Sequence, residues 1–178
     1  VKGQCQIDDD AIDVLLTLAG TDLATLSNEI EKLMLFAEHR SITASDVRLL
    51  VSRTLEQNVF TLVEQMAKRD VPAALQTLQD LLRQNEEPIK LVALLASQFR
   101  LIYEVKELMK TGYGQQQIAS MLGVHPFRVK VAASYASGFS EQQLMSILYD
   151  LAETDYALKS SAMDKQLLLQ LFFLKLQR

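Results

Sequence analysis

Side chains that could bind a metal ion or act as a general base are few in this sequence. The chain has two histidines, His39 and His125, and neither has a second histidine at the spacing of a metal site. The single cysteine, Cys5, cannot form an internal disulfide bond or a cysteine-based zinc site. No pairing of a nucleophile with a base is evident. We therefore expect no catalytic residue and no metal site in this chain.

The carboxylates and glycines of the sequence do not form the pattern of a metal or phosphate site either. The acidic runs at 8–10 and 86–87 are typical of helix starts, where negative charge favours the helix dipole. The one glycine-rich stretch, GYG at 112–114, lacks the lysine and the hydroxyl residue of a phosphate-binding loop and fits a helix end better. The sequence thus predicts no nucleotide site and no cofactor.

One stretch, IASMLGVHPFRVKVAASYA at 118–136, has the spacing of a DNA-binding helix-turn-helix. Ala119, Gly123 and Val129 occupy the characteristic positions of such a pair. A recognition helix also needs polar side chains aimed at base edges and phosphates, and residues 126–136 offer only Arg128 and Lys130. The spacing alone is compatible with DNA recognition and with simple helix packing. The shortage of polar side chains favours packing, with negligible direct DNA binding.

The last helix is apolar on nearly every side. Its richest part, LLLQLFFLKL at 167–176, includes Lys175 and is too short to cross a membrane. A helix of this kind either lies at the centre of its bundle or shares a face with a partner chain. The candidate contact residues of a subunit interface are Leu169, Phe172, Phe173 and Leu176.

The elements that carry these residues are expected to be helices. Of the 178 residues, 49% are hydrophobic, and glycine (6) and proline (3) are scarce, which favours an all-α fold with a packed core. The net charge is −4, so the protein lacks the broad positive electrostatic field of nonspecific nucleic-acid binders. The apolar spacing and capping residues predict helices at 8–19, 22–39, 44–52 and 58–69, from Pro72, over 88–112, around 118–136, from Ser140, and from Met163 to the end.

A change in charge balance divides the chain. Residues 1–53 hold 5 lysines and arginines against 9 acidic residues, whereas residues 54–178 hold 13 of each. We expect a three-helix domain at 1–53 and a helical bundle at 54–178. Because the sequence opens with Val1, we also expect it to be part of a longer protein.

The order of these signals resembles a known family. GTDLATLSNEIEKLMLFA and ITASDVRLLV are similar to the three-helix lid of AAA+ proteins. The segments at 93–136 and 148–176, the latter with Asp155 and Lys159, resemble the collar domain of the clamp-loader delta-subunit family of bacterial DNA polymerase III. ATP-hydrolysing relatives usually carry an arginine three residues after the glycine that opens the second lid helix, and here that position, counted from Gly20, is Leu23.

The resemblance implies a part in loading the sliding clamp onto primed DNA during replication, in the cytoplasm and at the nucleoid-associated replisome. The collar would join the gamma/tau and delta prime subunits, and the clamp would be gripped by an N-terminal domain outside this chain. It implies no enzymatic activity in this segment, within a DNA-directed DNA polymerase holoenzyme whose ATPase activity belongs to other subunits. The alternative is a helix-turn-helix regulator with a helical dimerisation domain.

Overall fold

The structure, a computed structural model, describes residues 5–176 of the chain. Over those residues the fold is all-α, as the sequence predicted, and its one extended pairing is a parallel bridge between Ile7 and Ile42. None of the described helices has the length and hydropathy to cross a membrane. The ten helices are α1 (Asp9–Ala19), α2 (Leu23–Ala37), α3 (Ala44–Leu50), α4 (Leu55–Ala67), α5 (Val71–Arg83), α6 (Pro88–Lys110), α7 (Gln115–Leu122), α8 (Pro126–Ala136), α9 (Glu141–Ser160) and α10 (Lys165–Lys175).

The chain divides into two compact units after Asn58. In the first unit α1 packs on α3, and both contact α2. Small and branched apolar side chains from the three helices, and from the residues on either side of α3, fill the space between them. The buried core consists of Ala11, Leu15, Ala19, Leu33, Ala37, Ile42, Ala44, Val47 and Val51.

The capping box predicted at the start of α3 is present and extends into an ion pair. Thr43 donates its backbone N–H to Asp46 Oδ2 at 2.9 Å, and Asp46 N–H donates to the threonine hydroxyl. Arg40 donates through both Nη atoms to the same carboxylate, at 2.6 and 2.7 Å. The Arg40 guanidinium and the Thr43 amide together hold the pKa of Asp46 well below its usual range.

Several helix ends differ from the sequence expectation. α4 begins at Leu55, three residues before the predicted start, after Thr54 accepts the Gln57 N–H at 3.3 Å. α10 begins at Lys165, because the Asp164 carboxylate accepts the backbone N–H of Leu167 at 2.8 Å and so caps the helix. The predicted end of the last helix, at residue 178, lies outside the described residues.

The second unit is organised around α6. This helix packs against α7, α8, α9 and α10, and α9 also packs against α10. Its buried residues spread over more than one face and include Leu95, Phe99 and Ile102. The ring of Phe99 meets that of Phe139 edge to face, with centroids 5.5 Å apart. The long central helix therefore supplies a common core to which the later helices are attached.

The connection between α8 and α9 lies tightly against the end of α4. A Cβ atom added at Gly138 would stand 2.7 Å from the backbone oxygen of Ala67, so only glycine fits there. Tyr135 donates its hydroxyl to Glu64 Oε2 at 3.3 Å, and burial together with this carboxylate raises the pKa of Tyr135 to about 12. Lys106 caps the end of α8 by donating to the Ala136 carbonyl at 2.7 Å.

Candidate interaction surface

The structure places most of the predicted contact residues of α10 inside the second unit. Leu169 and Phe173 are buried, and Phe172 is only 1% exposed. The rings of Phe172 and Phe173 meet edge to face at 5.3 Å between centroids. Side chains that are almost wholly covered by their own chain have little area left for a subunit contact, so these three belong to the core. Leu176 is half-buried and keeps some access to solvent.

A different set of leucines on α10 faces outward. Leu167, Leu171 and Leu174 follow the i, i+4, i+7 spacing of one helix face, and their exposed fractions lie between 40% and 52%. At about 100° of rotation per residue, this face lies opposite the one that carries Leu169 and Phe173. α10 is therefore apolar on its core side and on its outer side as well.

A second apolar stripe runs along the outer face of α9. Met145, Tyr149 and Tyr156 are 54%, 67% and 71% exposed and align on one side of the helix. Their side is opposite the core face of α9, which is formed by Leu144, Ile147, Leu151, Thr154 and Leu158. This stripe is not among the predicted contact residues, although the spacing of its methionine and tyrosines is visible in the sequence. Methionine and tyrosine are enriched in protein interfaces relative to other surfaces.

The helix-turn-helix stretch forms α7 and α8 around a tight turn. Gly123 adopts a left-handed conformation with φ of 64° and donates its N–H to the carbonyls that end α7. His125 starts α8 by accepting the Phe127 N–H on Nδ1 at 3.2 Å. The two helices pack on each other and on α6, with Ile118 and Val129 buried in the contact.

The two basic residues of α8 do not form one DNA-facing row. Arg128 is half-buried and Lys130 is exposed. Residues two positions apart on a helix point in directions about 200° apart, so these cations flank the buried face from opposite sides. A recognition helix needs its contacts on one face, and the packing role of α8 is the one that its side chains fit.

The residues singled out for possible chemistry lie apart from one another. Cys5 donates its thiol to the Arg40 carbonyl at 3.1 Å, and His39 follows the end of α2. Within residues 5–176 no group of histidine, cysteine or carboxylate side chains is arranged to hold a metal ion. Leu23 opens α2 and is 82% exposed, so the position where ATP-hydrolysing relatives usually carry an arginine presents an apolar side chain to solvent.

Comparison with known proteins identifies the family and the relatives that this chain resembles. Residues 56–176 match the protein family described as DNA polymerase III delta subunit, C-terminal domain. The chain is 48% identical over 174 residues to DNA polymerase III subunit delta of Bacillus subtilis, covering 97% of this chain and 50% of the relative. It is 27% identical over 152 residues to the probable delta subunit of Aquifex aeolicus, covering 84% of this chain and 43% of the relative.

A solved structure agrees with the sequence relatives. The Bacillus subtilis DNA clamp loader delta protein superposes with a TM-score of 0.87 at 48% identity, over 98% of this chain and 52% of that one. The chain thus spans about half the length of the proteins that it matches.

Proposed function

Because the chain belongs to the family of DNA polymerase III delta subunits, we propose that it serves the assembly of a clamp loader. In this proposal residues 1–53 are the lid and residues 54–178 are the collar that joins the gamma/tau and delta prime subunits. The sliding clamp is gripped by the half of the protein that this chain does not include. ATP is hydrolysed by other subunits, this segment performs no catalysis, and the complex acts in the bacterial cytoplasm at the replisome.

The observation that carries the proposal is the pair of outward apolar stripes on α9 and α10. Each of these helices has its core face covered within the second unit and a second apolar face in solvent. Completing the burial of such side chains in a subunit contact contributes about 25 cal/mol per Å² of apolar area, before the cost of association. A partner subunit is the simplest source of that cover.

An association assay with matched variants tests the proposal. We expect Leu171→Asp on α10 and Tyr149→Asp on α9 to reduce capture of the purified gamma/tau and delta prime subunits more than tenfold, because a buried unpaired carboxylate is costly. Gln166→Asp adds the same charge to an exposed position of α10 outside the stripe and should leave capture unchanged. Equal capture by all three variants contradicts an assembly role for these faces.

The helix-turn-helix alternative rests on the sequence spacing at 118–136 and on the turn between α7 and α8, where left-handed Gly123 ends one helix and His125 begins the next. It predicts salt-dependent binding of duplex DNA by this chain, lost when Arg128 and Lys130 are replaced by alanine. The assembly proposal predicts negligible duplex binding. A mobility-shift titration at low salt separates them, since a shift that depends on the two cations supports the regulator and not the clamp loader.

A further inference from the structure

A groove of about 450 Å³ opens in the second unit, and none of the residues of the outward stripes lines it. It lies between the α4–α5 corner, the first half of α9 and the end of α10. Its apolar floor includes Leu75, Phe139, Ile147 and Phe173. A volume of this size accommodates one or two large side chains of a ligand.

The charged groups on the rim of the groove are mostly positive. Arg69 stands at the α4–α5 corner, is exposed, and has no ion-pair partner among the residues that the structure describes. Lys175 is 3.7 Å from Asp150, the one carboxylate that lines the groove. The lining therefore holds two cations against one anion, which leaves the Arg69 guanidinium available to a ligand.

The uncharged polar groups of the rim also offer hydrogen-bond donors to a ligand. Gln143 uses its side-chain oxygen in the capping box of α9, where it accepts the Ser140 N–H at 2.8 Å. Its amide NH₂ is then left as a donor without an acceptor in the described part of the chain. The hydroxyl of Ser146 also lines the groove and makes no hydrogen bond within residues 5–176. The free groups of the rim thus include three sources of hydrogen-bond donors and call for an acceptor such as a carboxylate.

We infer that this groove binds a short acidic peptide segment that carries a large apolar side chain. The apolar side chain occupies the floor beside Leu75 and Phe173, and a neighbouring carboxylate accepts hydrogen bonds from Arg69 and Gln143. Nucleic acid fits the groove less well, because a strand brings a phosphate at every nucleotide to a site with one unpaired cation and a buried apolar floor. The groove shares no lining residue with the outward stripes, and the inference does not depend on the proposed function.

A binding titration with the 178-residue chain tests the inference. The probe is a fluorescein-labelled peptide of sequence Glu-Asp-Leu-Phe with a free carboxyl terminus, followed by fluorescence anisotropy. We expect saturable binding that Arg69→Gln weakens about five- to tenfold, the effect of losing one charge-assisted hydrogen bond at a solvent-accessible rim. Arg83→Gln is the matched control, because Arg83 is also an exposed arginine near a helix end but does not line the groove.

Two further probes make the result decisive. A Lys-Lys-Leu-Phe peptide keeps the apolar residues and reverses the charge, and we expect it to bind at least tenfold more weakly. A labelled single-stranded oligothymidine tests the nucleic-acid alternative. Absence of peptide binding at millimolar concentration, equal effects of the two arginine substitutions, or preference for the oligonucleotide overturns the inference.

Discussion

Replacing Phe172 by alanine tests whether this residue belongs to the core of the second unit, in contrast to the outward-facing residues beside it on α10. Phe172 is 1% exposed and stacks edge to face on Phe173, whereas Leu171, the next residue back along the helix, is 40% exposed. Removing a buried phenylalanine side chain costs about 3–5 kcal/mol of the free energy of unfolding. Leu171→Ala removes a partly exposed side chain and should cost about 1 kcal/mol.

Urea unfolding measures this difference in the second unit alone. The protein has no tryptophan, and all five tyrosines lie between residues 103 and 156, so tyrosine fluorescence reports only that unit. With a denaturant slope of about 2 kcal/mol per molar urea, Phe172→Ala should lower the midpoint by about 1.5–2.5 M. At low temperature and without urea, the variant should still capture partner subunits. A midpoint within 0.5 M of that of Leu171→Ala, at about the same slope, would refute the placement of Phe172 in the core.

Three further predictions concern backbone packing and ionisation. Gly138→Ala should destabilise the second unit by about 1–3 kcal/mol in urea unfolding, since its new methyl group meets rigid backbone. Gly114→Ala meets no atom closer than 3.8 Å and should cost less, since it only replaces a glycine at the N-cap of α7. Because folding holds the pKa of Asp46 below its ordinary value, its ionised form stabilises the first unit above about pH 4 and this contribution is lost as the pH falls further. Thermal unfolding between pH 5 and 2 should show the loss, and Asp46→Asn should remove that part of the pH dependence. Ultraviolet titration should find the pKa of Tyr135 near 12 instead of about 10, with the late step absent in Tyr135→Phe. A single titration step that Tyr135→Phe leaves unchanged would contradict the burial of the hydroxyl beside its carboxylate partner.

Local signals in the sequence located most helices well. The capping boxes that begin α3 and α9 depend on residues three positions apart, Thr43 with Asp46 and Ser140 with Gln143, so they can be read without knowing the tertiary fold. The glycine that ends α7 is equally local. The predicted start of α4 is three residues late because the first turn of the helix, LEQN, precedes the apolar stripe that indicates the helix. Helix propensity and a capping hydroxyl extend α4 beyond that stripe.

The interaction surface was harder to predict than the helices that carry it. In α10 the sequence showed a surplus of apolar residues, but a helix that is apolar all round has no period from which to tell core from outer face. The sequence therefore predicts Phe172 as a contact residue, whereas the residue that faces outward is its neighbour Leu171. On α9 the regular core stripe is sufficient to predict the helix. The sequence therefore gives no separate reason to expect an interaction surface at Met145 and Tyr149 on the opposite face.

The position of each helix in the second unit decides what its apolar surplus means. α6 also has buried residues on several sides, and four neighbouring helices cover them, so its composition is explained within the chain. α9 contacts α6 and α10, yet its face with Tyr149 and Tyr156 remains in solvent. Exposed apolar rows of this kind lower the solubility of a protein. A monomer would gain nothing in return, whereas a subunit contact would cover them. The contrast between a central helix that is packed on several sides and two peripheral helices that each keep an apolar face in solvent is the physical basis for the proposal that α9 and α10 contact a partner subunit.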